Sequence, residues 1–175
     1  MALTLLLGWA YSTPPLRLKA RPGFDVLSNA FAVACLGPLG GWVALHGTAS
    51  GYPWPMSLVG GLAVAALYLP TTLVDHDADL AAGARTTAVA IGPRATFELG
   101  FALWTASALL ATGLAADVII DRSLLPLQVI MIPLLLIVYR VLLRGRPPFR
   151  AITVVAACFL IPCGAFALTY VGLLG

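Results

Sequence analysis

Five predominantly apolar stretches punctuate the chain, approximately from Phe24 to His46, Trp54 to Val74, Ala95 to Ala116, Ser123 to Leu143 and Ala151 to Leu174. A helix needs about 20 such residues to cross a bilayer core, and each stretch meets that length. A sixth run, Ala2 to Ala10, covers half a bilayer. It lacks the basic flank of a secretory leader, and Tyr11-Ser12-Thr13-Pro14-Pro15 is a poor cleavage site. It reads as the second half of a helix, which predicts that Met1 is not the natural start of the full protein. The expected fold class is all-α: a polytopic transmembrane helix bundle of five full spans plus a partial N-terminal one. Residues 1–175 form a single transmembrane domain, with no repeat and no linker.

Composition agrees. Of 175 residues, 61% are hydrophobic and 10% charged, and the mean hydropathy is +0.98. Soluble domains carry about a quarter charged residues and disordered chains need low hydrophobicity, so both classes are excluded. The net charge of +3, ten basic against seven acidic residues, is too dilute for a nucleic-acid surface. Cys35, Cys158 and Cys163 stand in apolar runs without a CxxC pattern and read as small packing residues.

The basic residues orient the bundle. Arg17, Lys19, Arg21, Arg85, Arg94, Arg140, Arg144, Arg146 and Arg150 fall in connectors of one side, and only Arg122 on the other. By the positive-inside rule, the connectors 12–22, 75–94 and 144–150 are cytoplasmic and those at 47–53 and 117–122 external. Prolines 38, 70, 126, 133 and 162 lie in or near the spans, where neighbouring helices satisfy the backbone groups they free. Gly37 and Gly41 form a GxxxG pair that, around Pro38, reads as a kink rather than a dimer face. Trp42, Tyr52, Trp54, Trp104 and Tyr170 read as interfacial anchors or packing.

Two connectors hold the candidate chemistry. In the first, Tyr11 to Pro22, prolines favour an extended course. Alternation then puts Arg17, Lys19 and Arg21 on one side and Leu16, Leu18 and Ala20 on the other. Three cations above an apolar strip suit a phosphate head whose tail enters the membrane; a loop that only fixes topology or touches anionic lipid is the alternative. The second connector holds three of the seven acidic residues, Asp75, Asp77 and Asp79. On a continuing helix, Asp75 and Asp79 are i,i+4 neighbours. Hard oxygen ligands with open positions suit Mg²⁺, which binds one or two carboxylates plus substrate phosphates; a helix cap in a solvated loop is the alternative. Glu98, four residues after Arg94, is expected to pair with it. His46 and His76 read as an interfacial helix end and a solvated loop residue, and Asp117, Asp121 and Arg122 as an external turn. A basic row and an acidic pair on one membrane face describe a site for a diphosphate with a greasy tail.

Tyr11-Ser12 followed by Pro14-Pro15-Leu16-Arg17-Leu18-Lys19 resembles the loop after the fourth helix in the UbiA superfamily of intramembrane prenyltransferases. Asp75-xxx-Asp79 with Ala82-Gly83-x-Arg85-Thr86 is similar to that family's second aspartate-rich motif. The resemblance covers essentially the whole chain, from the end of the fourth of nine helices onward. It implies Mg²⁺-dependent transfer of a prenyl group from an allylic prenyl diphosphate to a lipophilic acceptor such as a carotenoid, quinone, chlorophyll or lipid precursor. Asp75 and Asp79, with Asp77, would hold the metal. Arg17, Lys19, Arg21 and Arg85 would bind the diphosphate, with Arg17 and Lys19 neutralising the leaving group, and Tyr11 and Ser12 would orient it. The wording of both motifs looks closest to the carotenoid branch, such as lycopene elongases. The family's first motif, of the NDxxDxxxD kind, is not among these residues, which implies that the chain by itself is inactive. A non-catalytic remnant or assembly subunit is the alternative. A transporter bundle would place ionisable groups near span centres, whereas these crowd the span ends.

Overall fold

A computed structural model describes residues 2–116 and 119–173; Asp117 of the expected external turn lies outside the described residues. Among the described residues all regular structure is helical. The chain runs α1 (Ala2–Ser12), α2 (Phe24–His46), α3 (Trp54–Val74), α4 (His76–Ala81), α5 (Thr87–Ala116), α6 (Leu125–Leu142) and α7 (Phe149–Tyr170). Five of these, α6 together with the 3-10 turn Arg122–Leu124 ahead of it, are long and apolar enough to cross a membrane. The five expected spans are all present, and α1 is the short apolar helix ahead of them.

The spans depart from regularity where proline removes a donor. In α2 the segment Ala32–Leu36 is π-helical, and Gly37 N–H bonds Ala32 O, one residue farther back than in an α-helix. Pro38 follows immediately and brings no N–H, so the ladder slips by one residue instead of breaking. A Cβ at Gly37 would meet only the helix's own Ala32 carbonyl, and one at Gly41 would meet nothing; among the described residues this GxxxG pair packs against no other helix. The third span differs more from expectation. It starts at Thr87 rather than Ala95 and breaks at Gly92 (φ 80°, ψ 160°), just before Pro93. Proline disfavours helical backbone in the residue before it, and a positive φ costs glycine nothing. The helical stub before the break is thereby free to fold toward α2.

Helix α3 is the hub, packed against α2, α5 and α7, with its broadest contact on α5. Small residues allow close approach: a Cβ on Gly60 would come within 3.3 Å of the Ala34 Cβ on α2. The core gathers Ala63, Ala66 and Leu73 of α3, Phe97 and Trp104 of α5, Leu135 and Tyr139 of α6 and Val155 of α7. Proline shapes this core as well. Pro70 lies inside α3 and cannot donate to the carbonyl four residues back, which is that of Ala66. The Tyr139 hydroxyl, fully buried, donates to this carbonyl at 2.7 Å, crossing α5 at Gly100, where a Cβ would overlap it.

At the end of the bundle holding the α2–α3 connector, Trp42 stacks on His46 with ring centroids 4.0 Å apart, and Tyr52 meets both Trp42 and Trp54 edge-on. Cys35, Cys158 and Cys163 are free thiols.

Candidate functional site

The connector after α1 is not extended. Pro14 and Pro15 sit in a turn joined by a cis peptide bond, Arg17 has left-handed backbone (φ 40°, ψ 56°), and Leu18–Ala20 form a 3-10 turn. Arg17 N–H bonds Thr13 O, Ala20 N–H bonds Arg17 O and Arg21 N–H bonds Leu18 O. With no neighbouring strand, an extended segment leaves its backbone groups to solvent, whereas this coil pairs them internally. The expected alternation of three cations is therefore lost. Arg21 turns its guanidinium onto Pro15 O at 2.9 Å, while Arg17 and Lys19 stay exposed. Ser12 is exposed, and Tyr11, half-buried, shares a 2.9 Å hydrogen bond with Tyr68 on α3.

The acidic connector is helical, as its spacing predicts. Asp79 N–H bonds Asp75 O at 2.8 Å, so the two side chains lie one turn apart on one face. Gly83 (φ 67°) ends α4, and Ala84 N–H returns to Asp79 O at 2.9 Å, a closure that glycine permits. The chain then comes back on itself, and the Thr86 hydroxyl donates to Asp79 Oδ2 at 3.0 Å. Asp75 and the Arg85 that follows Gly83 are exposed.

Asp77 does not join the pair. Two residues from Asp75 on a helix is about 200° around the axis, and it meets other partners: His76 Nδ1 at 3.0 Å and Arg146 Nη1 at 2.9 Å. Among the described residues no three His, Cys, Asp or Glu side chains form a group able to hold a metal ion. Asp77 therefore faces His76 and Arg146, while Asp75 and Asp79 lie one turn apart on the same helical face. The His76 hydrogen bond first, and then the Arg146 charge, hold the Asp77 carboxyl below its ordinary range. Whatever stability this adds is present above the unfolded-state pKa and lost as pH falls through the lower folded value. A carbon-13 titration should find Asp77 below a free aspartate, with His76→Ala raising it more than Arg146→Ala.

His76–Asp77 and Arg146–Asp77 are the ion pairs among the described residues, so Arg94 and Glu98 do not pair as expected. An exposed i,i+4 pair is worth only about 0.3–0.5 kcal/mol, too little to hold two long side chains in one geometry.

A residue the sequence reading passed over holds the site together. Asp25 opens α2 and is fully buried. Its carboxylate accepts the Thr87 N–H at 2.7 Å and the Thr87 hydroxyl, while Gly23 N–H donates to Thr87 Oγ1 at 2.8 Å. The end of the basic connector is thus clasped to the end of the acidic one, with an anion at the N-terminus of α5, where it is favoured. The Gly92 break presents Thr87 at this angle. The available signal was an acid inside an apolar run, which in a membrane protein has a partner or a function. Asp25→Ala leaves the Thr87 N–H buried without an acceptor. This should cost about 1–3 kcal/mol, read as a lower unfolding temperature in nanodiscs; Thr87→Ser, which keeps the hydroxyl, should stay near the parent.

The three connectors rich in basic residues therefore meet at one end of the bundle: the first joins the second through Asp25–Thr87, and the third joins the second through Arg146–Asp77. Two carboxylates on one helix face, exposed cations on the connectors joined to it and an apolar bundle beneath suit a metal-complexed phosphate head with a hydrocarbon tail.

Comparison with known proteins bears on this arrangement. The chain is 36% identical over 110 residues to a lycopene elongase/hydratase of Haloferax volcanii, covering 62% of this chain and 35% of that protein. It is 32% identical over 113 residues to a lycopene elongase/hydratase of Halobacterium salinarum, covering 62% and 38%. The matches thus span little more than a third of those relatives. The fold is similar to that of a UbiA homolog from Archaeoglobus fulgidus solved with GPP and Mg²⁺, with a TM-score of 0.68 at 23% identity, covering 94% of this chain and 59% of that one. The DMAPP and Mg²⁺ complex of a UbiA homolog from the same organism matches at 0.68 and 22%, covering 95% and 59%. Residues 1–161 match the model of the UbiA prenyltransferase family, and the chain belongs to that family.

Proposed function

We propose that these residues form the diphosphate-binding half of an enzyme that transfers a prenyl group from an allylic prenyl diphosphate to a lipophilic acceptor, in the carotenoid branch of the family. The observation that carries the reading is the clasp of Asp25 on Thr87, which brings the cationic and carboxylate connectors to one end of the bundle. The two lycopene elongase/hydratases support the carotenoid assignment.

Asp75 and Asp79 form a hard-oxygen pair with open positions, the donor set Mg²⁺ takes together with substrate phosphates. When bound, Mg²⁺ neutralises charge on the departing diphosphate. Thr86 holds one oxygen of Asp79 and leaves the other for ligation. Arg17, Lys19 and Arg85 approach the diphosphate from outside and stabilise negative charge as its bond to the prenyl carbon breaks. Arg21, committed to Pro15 O, shapes the loop that presents them. Tyr11, held by Tyr68, and Ser12 border the same end of the bundle and orient the head. Asp77 is left outside the metal set.

A family site draws on two aspartate-rich motifs, and these residues contain one. The chain therefore turns over only when a segment bearing the first motif is supplied. All three basic connectors face the cytoplasm, where positive loops are retained. The test is a chimera in which this chain replaces the matching segment of the Haloferax enzyme, assayed for Mg²⁺-dependent conversion of lycopene by mass spectrometry of lipid extracts. Conversion by the chimera supports the reading. A correctly inserted chimera without activity, where the parent enzyme is active, counts against it.

A further inference from the structure

At the end of the bundle away from the connectors just described, α5 finishes, the 3-10 turn Arg122–Leu124 leads into α6, and α7 closes on Thr169 and Tyr170. An open cavity of about 450 Å³ lies there, within the range of about 300–1,000 Å³ usual for small-molecule sites. Ile119 and Phe166 give it an apolar floor, and Asp121, Arg122, Thr169 and Tyr170 give it polar groups. The ends of membrane spans lie against the headgroup layer, where a lipid offers a polar head and the start of its hydrocarbon together.

Opposite charges line this cavity without neutralising each other. Asp121 and Arg122 are adjacent in the chain, yet they form no ion pair with each other. Asp121 Oδ1 accepts the Ser123 N–H at 2.8 Å and leaves Oδ2 to offer; the same bond holds the carboxyl below its ordinary range, so it is ionised at neutral pH. Arg122 uses Nη2 on Ala116 O at 3.0 Å and has further N–H donors on Nη1 and Nε. The Thr169 hydroxyl donates to Ala165 O at 2.9 Å, so toward a ligand it accepts. Tyr170 is exposed, stacks on Phe166 with ring centroids 6.3 Å apart and brings a phenol O–H. Arg122 and Tyr170 are donors for an anion, and Asp121 and Thr169 are acceptors for an N–H cation. A carboxylate beside the arginine disfavours a head that is only anionic, and a trimethylammonium head has no N–H to give.

We propose that this cavity binds a zwitterionic phospholipid with a primary ammonium head, its phosphate on Arg122 and Tyr170, its ammonium on Asp121 and Thr169, and the start of its hydrocarbon on Ile119 and Phe166. The site is independent of the diphosphate end and of prenyl transfer.

Native mass spectrometry of the purified chain with added lipids tests this. Phosphatidylethanolamine should bind about tenfold more tightly than phosphatidylcholine or phosphatidylglycerol with the same chains, the scale of one hydrogen bond to a charged group. Asp121→Asn keeps the oxygen that accepts from Ser123 and loses the charge; it should bring phosphatidylethanolamine down to the level of phosphatidylcholine. Arg122→Gln should weaken phosphatidylethanolamine binding about tenfold, whereas Arg144→Gln, at the opposite end of the bundle, should leave it unchanged. Glycerophosphoethanolamine, the same head without chains, should not compete at equal concentration. Equal binding of the three lipids, a preference that survives Asp121→Asn, or equal effects of Arg122→Gln and Arg144→Gln would each overturn the proposal. Competition by the chain-free head would overturn the assignment to a lipid.

Discussion

Asp75→Asn and Asp79→Asn should each lower Mg²⁺-dependent lycopene conversion by the chimera at least about 100-fold, the scale seen when a preorganised charge contact to a transition state is lost. The substitution keeps shape and polarity but removes the negative charge that holds the metal. Asp75 caps the end of α3 and Asp79 lies on α4, both outside the spanning helices, so insertion and thermal stability should hold. Asp77→Asn provides the contrast. Its carboxylate faces Arg146 rather than Asp75, and its loss should change turnover no more than about twofold, the scale of an exposed ion pair. Thr86→Val falls between, because it releases Asp79 from one hydrogen bond and leaves its charge in place; a loss of about fivefold is expected. Full turnover by Asp75→Asn would remove the metal assignment, and equal losses at all three aspartates would restore Asp77 to the metal set.

The second large effect is on stability and lies in the core. Gly100→Ala should destabilise the bundle by about 3–4 kcal/mol, because the new methyl displaces the Tyr139 hydroxyl. The cost combines overpacking, about 1–3 kcal/mol, with an Ala66 carbonyl left without a donor, about 1–3 kcal/mol. Tyr139→Phe removes the donor alone and should cost only the second of these. The pair should be strongly non-additive, since without the hydroxyl the Gly100 methyl meets ordinary contacts: the Ala66 O and Leu69 Cβ positions are each 3.5 Å away. Pro70→Ala gives an independent check. It returns an N–H to α3 that bonds Ala66 O within the helix, so it should rescue much of the Tyr139→Phe loss. Thermal unfolding in nanodiscs of these single variants and of the two doubles with Tyr139→Phe reads all of this; additive losses, or no rescue by Pro70→Ala, would show that Ala66 O is not the shared acceptor.

The spans were legible in the chain because a bilayer imposes a length and a polarity that no packing detail overrides. Three of the five begin or end within two residues of their expected limits, and α2 and α3 match outright. The pairing of Asp75 with Asp79 was equally legible, since helical periodicity alone puts them on one face. The basic connector departs from the extended course that its prolines favour. Its coil instead depends on internal hydrogen bonds from Arg17, Ala20 and Arg21, which local preference does not specify. The early start of α5 was missed because Gly92-Pro93 resembles a terminator, and it is in fact a break inside one helix.

Sequence alone determined that this protein is a bundle of membrane helices, where its connectors fall and which two carboxylates share a helical face, since these follow from composition and from periodicities of a few residues. Only the tertiary structure decided that Asp25 reaches Thr87, 62 residues away, that Asp77 turns to Arg146 and that Tyr139 supplies the hydrogen bond Pro70 cannot. Those contacts depend on helices meeting in space, and each satisfies a polar group that its own segment could not satisfy.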